Sequence, residues 1–357
     1  MGETNGDNKK KTAREIIENY NGPKVRIMEV CGTHTHEIFR LGIRKLLPEQ
    51  VELISGPGCP VCVTQVGFID EAIYLALERQ VTICTFGDLV RVPGTNMSLA
   101  GARERGAKIR IVYSPVDAKE YAKEHPKEQV TFLSVGFETT TPSACLSVKK
   151  AREEGLTNYS ILTANKTMPQ AYEALKGSAD IFLYPGHVNA ITGTKLCEEL
   201  AKEGVSGVVA GFTAKELLTA LAVALARFQE GRPFFVNCYP RVVTENGSPQ
   251  AQKLVEEMME PCDSEWRGLG VIKGSGMRLQ EEWSAFDARK KYKIPLIQGK
   301  ANPACRCGDV LQGKCKPSDC KVFGKVCTPQ HPIGACMVSG EGACSAYYMY
   351  GEAEKMK

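Results

Sequence analysis

The sequence predicts an α/β protein made of two parallel-sheet βαβ domains of similar build, followed by a small cysteine-rich domain. Three observations lead there. Short β-branched runs alternate with stretches of helical periodicity, the pattern of parallel βαβ units. Nearly every run ends in a polar, glycine-containing loop. Seven of the 15 cysteines crowd into the stretch from Cys305 to Cys344.

In chain order, a polar start leads into a short helical segment, 1–23. Four strand-like runs follow in the expected first domain, 24–127: VRIMEV from Val25, VELIS from Val51, VTICTF from Val81 and IRIVYS from Ile109. Four more fill the expected second domain, 128–244: VTFLSV from Val130, YSILTA from Tyr159, DIFLYP from Asp180 and GVVAGF from Gly207. Helical periodicity marks 65–78, 144–154 and 215–229 between them. The run PFFVNCYPRVV from Pro233 returns to the sheet or closes the second half. In the remainder, 245–357, long apolar runs disappear while glycine, proline and cysteine rise. Such a segment cannot build an ordinary core from its own side chains, and a bound metal centre would supply the missing cross-links.

Composition removes several function classes. Hydrophobic residues at 43% and charged residues at 24% are those of an ordinary globular chain. The net charge of +4 is spread along the sequence, so nothing resembles the basic stripe of a nucleic-acid binder. No apolar stretch opens the chain as a signal peptide, and no run is long enough to span a membrane. A cytoplasmic protein is therefore expected, and so many cysteines in that setting favour metal ligation or redox chemistry over disulfides. No loop carries a GxGxxG or Walker A pattern, so no nucleotide cofactor is indicated.

In open parallel sheets, ligands bind beyond the carboxyl ends of the strands. Two cysteine motifs sit there. In Cys31-Gly32-Thr33-His34-Thr35-His36 the cysteine stands at the strand tip. The two histidines, two residues apart on an extended segment, would face opposite ways and do not form a chelating pair. The structural alternative has His36 opening the next helix and His34 bonding backbone. In Gly56-Pro57-Gly58-Cys59-Pro60-Val61-Cys62, a CxxC puts two sulfurs within reach of one metal or of each other. Three thiols at one crevice suit zinc or low-spin iron, with His34 or His187 as the fourth ligand of a structural zinc site. The C-terminal cysteines (Cys305, Cys307, Cys315, Cys320, Cys327, Cys336 and Cys344) are spaced too irregularly for a zinc ribbon or a ferredoxin run. Four of them suffice for a 4Fe–4S cluster; two zinc sites are the structural alternative. Supporting positions are Asp88 and Arg91 in FGDLVRVPG, Glu138 in VGFETTTP, and His187 in YPGHV, the best-placed histidine for proton transfer or ligand contact.

Together these strings resemble the HypD family of hydrogenase maturation proteins. CGTHTH, GPGCPVC, FGDLVRVPG, GFETT, GHV and DCKVFGKVCTP…GACMVSGEGACSAYY follow that family's order from about Val25 to Tyr350. The resemblance implies a redox-capable scaffold for assembling an iron that carries two cyanides and one carbon monoxide, destined for nickel–iron hydrogenases. HypC and HypE are the implied partners, cyanide arriving by way of HypE and the hydrogenase large subunit being reached through HypC. Cys31, Cys59 and Cys62 then hold or help load the iron together with a HypC thiol, and His187 orients or protonates a ligand. A C-terminal 4Fe–4S cluster is implied on Cys305, Cys320, Cys327 and Cys344, with Cys307 competing for the place of Cys305. Glu341 is implied beside the cluster, and Cys315 and Cys336 are left unassigned. A cluster-dependent thiol–disulfide reductase and a zinc scaffold remain the competing readings, and turnover in the strict sense stays open.

Overall fold

The computed structural model describes residues 11–351. Eleven strands are present among them: β1 (Val25–Glu29), β2 (Val51–Ser55), β3 (Thr82–Thr85), β4 (Ile109–Ile111), β5 (Val130–Gly136), β6 (Tyr159–Asn165), β7 (Ile181–Pro185), β8 (Ser206–Ala210), β9 (Phe235–Asn237), β10 (Met259–Trp266) and β11 (Gly270–Leu279). The eight predicted runs all form strands, and the predicted helices become Val66–Glu78, Thr141–Glu153 and Ala214–Phe228. In the last of these, Thr213 and Glu216 form a capping box that satisfies the free amides of its first turn. A second capping box, Thr12 with Glu15, opens the N-terminal helix Ala13–Glu18; residues 1–10 of the expected helical segment lie outside the described residues.

Two parallel sheets result, but the strands do not sort by chain order. The first sheet runs β2-β1-β7-β8-β9 and the second β4-β3-β5-β6. β1 pairs with β7 in the register Ile27↔Ile181, while β3 pairs with β5 in the register Ile83↔Thr131. The expected boundary at 127/128 therefore cuts through the second sheet, between β4 and β5. All of the second sheet is inserted between β2 and β7 of the first. The reason is that β-branched spacing reports that a strand exists and is silent about its neighbour, which long-range packing selects. β5 to β8 are buried along their whole length because helices cover both faces of each sheet. The apolar run after Pro233 returns to the first sheet as its edge strand β9.

The region after residue 244 is more regular than its sequence indicates. β10 and β11 form a long antiparallel hairpin, from Met259↔Leu279 to Trp266↔Gly270. Trp266 at its tip is fully buried and stacks on Phe137 at 5.8 Å, its indole N–H donating to Ser275 Oγ at 2.7 Å. Trp266, Phe137, Cys62 and Cys307 share one core cluster, so this part of the chain completes the core between the two sheets. The sequence hides the hairpin because alternating polar residues, here MEPCDSEW, show no apolar run when only one face is covered.

Candidate functional site

The interleaved topology brings the loops after β1, β2, β7 and β8 to one sheet edge. β1 is anchored from within: buried Glu29 takes the Arg44 guanidinium at 2.6 Å and the Thr35 hydroxyl at 2.7 Å. Cys31 then caps the helix Gly32–Arg40 in extended conformation, with no side-chain capping bond. The segment carrying His34 and His36 is thus helical where the sequence reading has it extended. His34 is buried and its Nε2 meets the Gly211 carbonyl at 3.0 Å; His36 Nδ1 meets that of Gly340 at 3.0 Å. Both histidines bond backbone, as the structural alternative holds for His34; His36 lies within the helix and does not open it.

The CGTHTH and GPGCPVC loops interlock. The Gly32 amide donates to the Gly58 carbonyl at 3.0 Å. A Cβ on Gly32 would lie 3.2 Å from Cys59 Cβ, and one on Gly58 would run into the Cys31 backbone. Glycine at both positions is what lets Cys31 and Cys59 stand side by side. Pro60 begins the short helix Pro60–Val63, and the Cys62 amide donates to Cys59 Sγ at 3.3 Å. Burial pushes the Cys31 thiol up to about 12 and the Cys62 thiol well above its ordinary value, so both are protonated until a metal or a disulfide displaces the proton.

His187 lies in the first turn of the helix Gly186–Thr192 and stacks on Phe212 at 3.7 Å; His34 stacks on the same ring at 4.7 Å. Partial burial against that ring lowers the His187 pKa, opposed by the nearby charge of Glu341, so its ring is neutral and basic at neutral pH. Glu341 faces the CGTHTH loop. It is absent from the lining of the C-terminal cysteine cavity and accepts from the Thr33 hydroxyl at 2.7 Å, beside Cys31 and His187. The reach of the SGEGAC turn decides this, and sequence distance conceals it.

Six C-terminal cysteines (Cys305, Cys307, Cys320, Cys327, Cys336 and Cys344) line one small cavity whose other walls include Val310, Val322, Phe323 and Met337. No carboxylate or imidazole is in that lining. Gly334 closes one side, and a Cβ there would press on Cys305 Sγ and lie 3.6 Å from Cys307 Sγ. An all-thiol donor set with apolar walls and a glycine cradle is compatible with an iron–sulfur or other thiophilic metal centre. Among the described residues, no three His, Cys, Asp or Glu groups close on one point as a single metal ion requires. The thiols surround a space instead, and Cys31, Cys59 and Cys62 do not converge on one point. Cys315 stands apart, on a different pocket with Arg26 and Tyr347.

Cys336 is a residue to which sequence reasoning gave no role. It is fully buried, and its thiol interacts with those of Cys62, Cys307 and Cys344. Cys62 in turn reaches Cys59, and Cys307 reaches Cys305. Interacting thiols thus link Cys59 at the sheet edge to the C-terminal cavity. In sequence, Cys336 sits between Ala335 and Met337 like any small buried core residue, so no local signal marks it. Asp88 and Arg91 do not pair: Arg91 donates to the Pro329 carbonyl at 2.7 Å and Asp88 is exposed.

A family model named HypD and described as "Hydrogenase formation hypA family" matches residues 7–351. The chain belongs to the HypD family. It is 42% identical over 343 residues to the hydrogenase maturation factor HypD of Cupriavidus necator, covering 92% of this chain and 90% of that protein. It is 44% identical to HypD of Rhizobium leguminosarum bv. viciae over 91% of this chain and 88% of the relative, and 43% identical to HypD of Escherichia coli over 92% and 90%. The chain is a hydrogenase maturation factor of this family. Among the described residues, no helix is long and apolar enough to cross a membrane.

Proposed function

We propose that this chain is the scaffold on which the iron of a nickel–iron hydrogenase receives two cyanides and one carbon monoxide, in complex with HypC and with cyanide passed on by HypE. The observation that carries the reading is the set of neighbouring, interacting thiols Cys59, Cys62, Cys336 and Cys307 in one core cluster, joining two cysteine sites more than two hundred residues apart in sequence. Cys31 and Cys59, side by side at the sheet edge, hold the iron with a thiol from HypC, and thiolates suit the low-spin ferrous ion that cyanide and carbon monoxide favour. His187, neutral and basic, takes or gives a proton at the ligand face; Glu341 steadies the CGTHTH loop through Thr33.

Cys305, Cys320, Cys327 and Cys344 are the residues that would hold a 4Fe–4S cluster, which supplies single electrons when bound. Cys307 and Cys336 are then the pair next to it. In an oxidised Cys59–Cys62 pair, attack by the Cys336 sulfur on Cys62 forms Cys62–Cys336 and frees the Cys59 thiolate. Attack by Cys307 on Cys336 then forms Cys307–Cys336 and frees Cys62. Two electrons delivered at the cavity reopen that last bond. The iron site thereby regains its thiolates without contact with an outside reductant.

The test is infrared spectroscopy of the chain purified anaerobically with HypC. Sharp bands of iron-bound cyanide and carbon monoxide are expected for the native protein. Cys62→Ala should lose them while keeping iron–sulfur absorbance. Bands retained in that variant would overturn the thiol route, and a colourless native protein containing zinc would favour a zinc scaffold.

A further inference from the structure

An open crevice of about 1010 Å³ runs beside the cysteine cavity. Its walls come from four separated stretches of chain, 91–98, 267–268, 300–308 and 330–333. Cys305 and Cys307 belong to both linings, so the crevice floor is the outer wall of the cavity. The charges in its lining are of one sign. Arg91, Arg267 and Lys300 line it with His331, and no aspartate or glutamate does. Arg267 is only 9% exposed, its guanidinium committed to the Thr64 carbonyl at 3.0 and 2.8 Å. Arg91 likewise donates to a carbonyl, that of Pro329, and Lys300 is exposed. Carbonyl partners fix the two arginines in place without cancelling their charge, and no carboxylate in the lining cancels that of Lys300. A low-dielectric cleft lined by one sign of charge focuses its field outward and draws in the opposite sign.

We propose that this crevice is the docking site of an acidic one-electron carrier protein, which delivers electrons to the cysteine cavity through the wall made by Cys305. The proposal rests on the cluster reading above. An iron–sulfur centre accepts one electron at a time, so a hydride donor, which gives two, is mismatched to it. One-electron carriers with flavin or iron–sulfur centres are small proteins, and an acidic face on such a protein complements the three cations of this lining. Each encounter moves one electron: the carrier's centre is oxidised by one, the centre behind Cys305 is reduced by one, and no bond or proton moves. Two encounters supply the pair that reopens a Cys307–Cys336 bond. Cys31, Cys59 and Cys62 are not in the crevice lining, so the carrier's site and the iron site are built from different residues.

The experiment uses the whole chain, purified anaerobically, with a reduced acidic plant-type [2Fe–2S] ferredoxin as probe and reduced methyl viologen, a cation, as control. Arg91→Glu/Lys300→Glu is compared with the milder Arg91→Gln/Lys300→Gln, neither residue having a part in the thiol row. Two quantities are read at low ionic strength: calorimetric affinity for the oxidised ferredoxin and the stopped-flow rate of iron–sulfur bleaching. The charge reversal should lower both by about tenfold or more and flatten their salt dependence, with the neutral pair intermediate. Bleaching by the viologen should be undiminished. Unchanged affinity and rate in the reversed variant would overturn the docking site while leaving the cluster reading intact. A native chain with no iron–sulfur absorbance would overturn the cluster reading and the electron route with it.

Discussion

The Glu138 carboxyl makes the native protein less stable as pH rises through neutrality. Its Oε1 accepts the Met168 amide at 2.8 Å, whereas Oε2 is sealed from solvent with no partner among the described residues. Burial raises its pKa from 4.5 to about 7. The native state thus holds a proton that the unfolded chain releases, and between these values stability falls as pH increases. At pH 5.5 the loss is about 1.4 kcal/mol, and by pH 8, above both values, it reaches about 3 kcal/mol, an order-of-magnitude figure from 1.36 kcal/mol per unit. Glu138→Gln keeps the acceptor for Met168 and cannot ionise. The assay is urea unfolding under anaerobic reducing conditions at pH 5.5 and 8, followed by the fluorescence of buried Trp266. Relative to the variant, the native protein should lose roughly 2 kcal/mol between the two pH values. Because the comparison is a difference of differences, any constant cost of the substitution cancels. Parallel pH dependences for the two proteins would refute the buried, protonated carboxyl.

Two further outcomes follow from the cysteine cavity. Cys336→Ser should preserve iron–sulfur absorbance yet leave an oxidised Cys59–Cys62 pair resistant to reduction through the cavity, read by maleimide labelling of the freed thiols; labelling at the native rate would remove Cys336 from the route. Gly334→Val, which drives a branched side chain against Cys305 and Cys307, should lower bound iron and sulfide severalfold with little change in far-ultraviolet circular dichroism. Full metal content in that variant would mean that the cavity is not where the centre sits.

Much was legible in the sequence because the signals were local. Strands β1 to β9 were visible as apolar, mostly β-branched runs, three long helices by their period, and the glycine loops marked the strand ends where ligands bind. Cys31, Cys59, Cys62 and the C-terminal cysteines were visible by residue type alone. His34 and His36 were misjudged in backbone conformation; the His34 bond to Gly211 matches the plainer of the two readings, whereas His36 lies inside the helix that it was expected to open.

What the sequence by itself determined was the inventory: parallel βαβ units, thiols at strand tips, a cysteine-rich end and the family. Three matters were decided only by the tertiary structure. Insertion of the second sheet between β2 and β7 sets the β1 and β7 tips together, and so places His187 on the Phe212 ring that His34 also faces. The polar-alternating hairpin β10–β11 wedges Trp266 between the sheets and brings the cysteine cavity against Cys62. Cys336 gains its meaning only there, as the sulfur between Cys62 and Cys307. The physical reason is common to all three. Periodicity and composition report what a segment prefers over ten or fifteen residues, whereas sheet order and thiol contact depend on which distant apolar faces exclude water together.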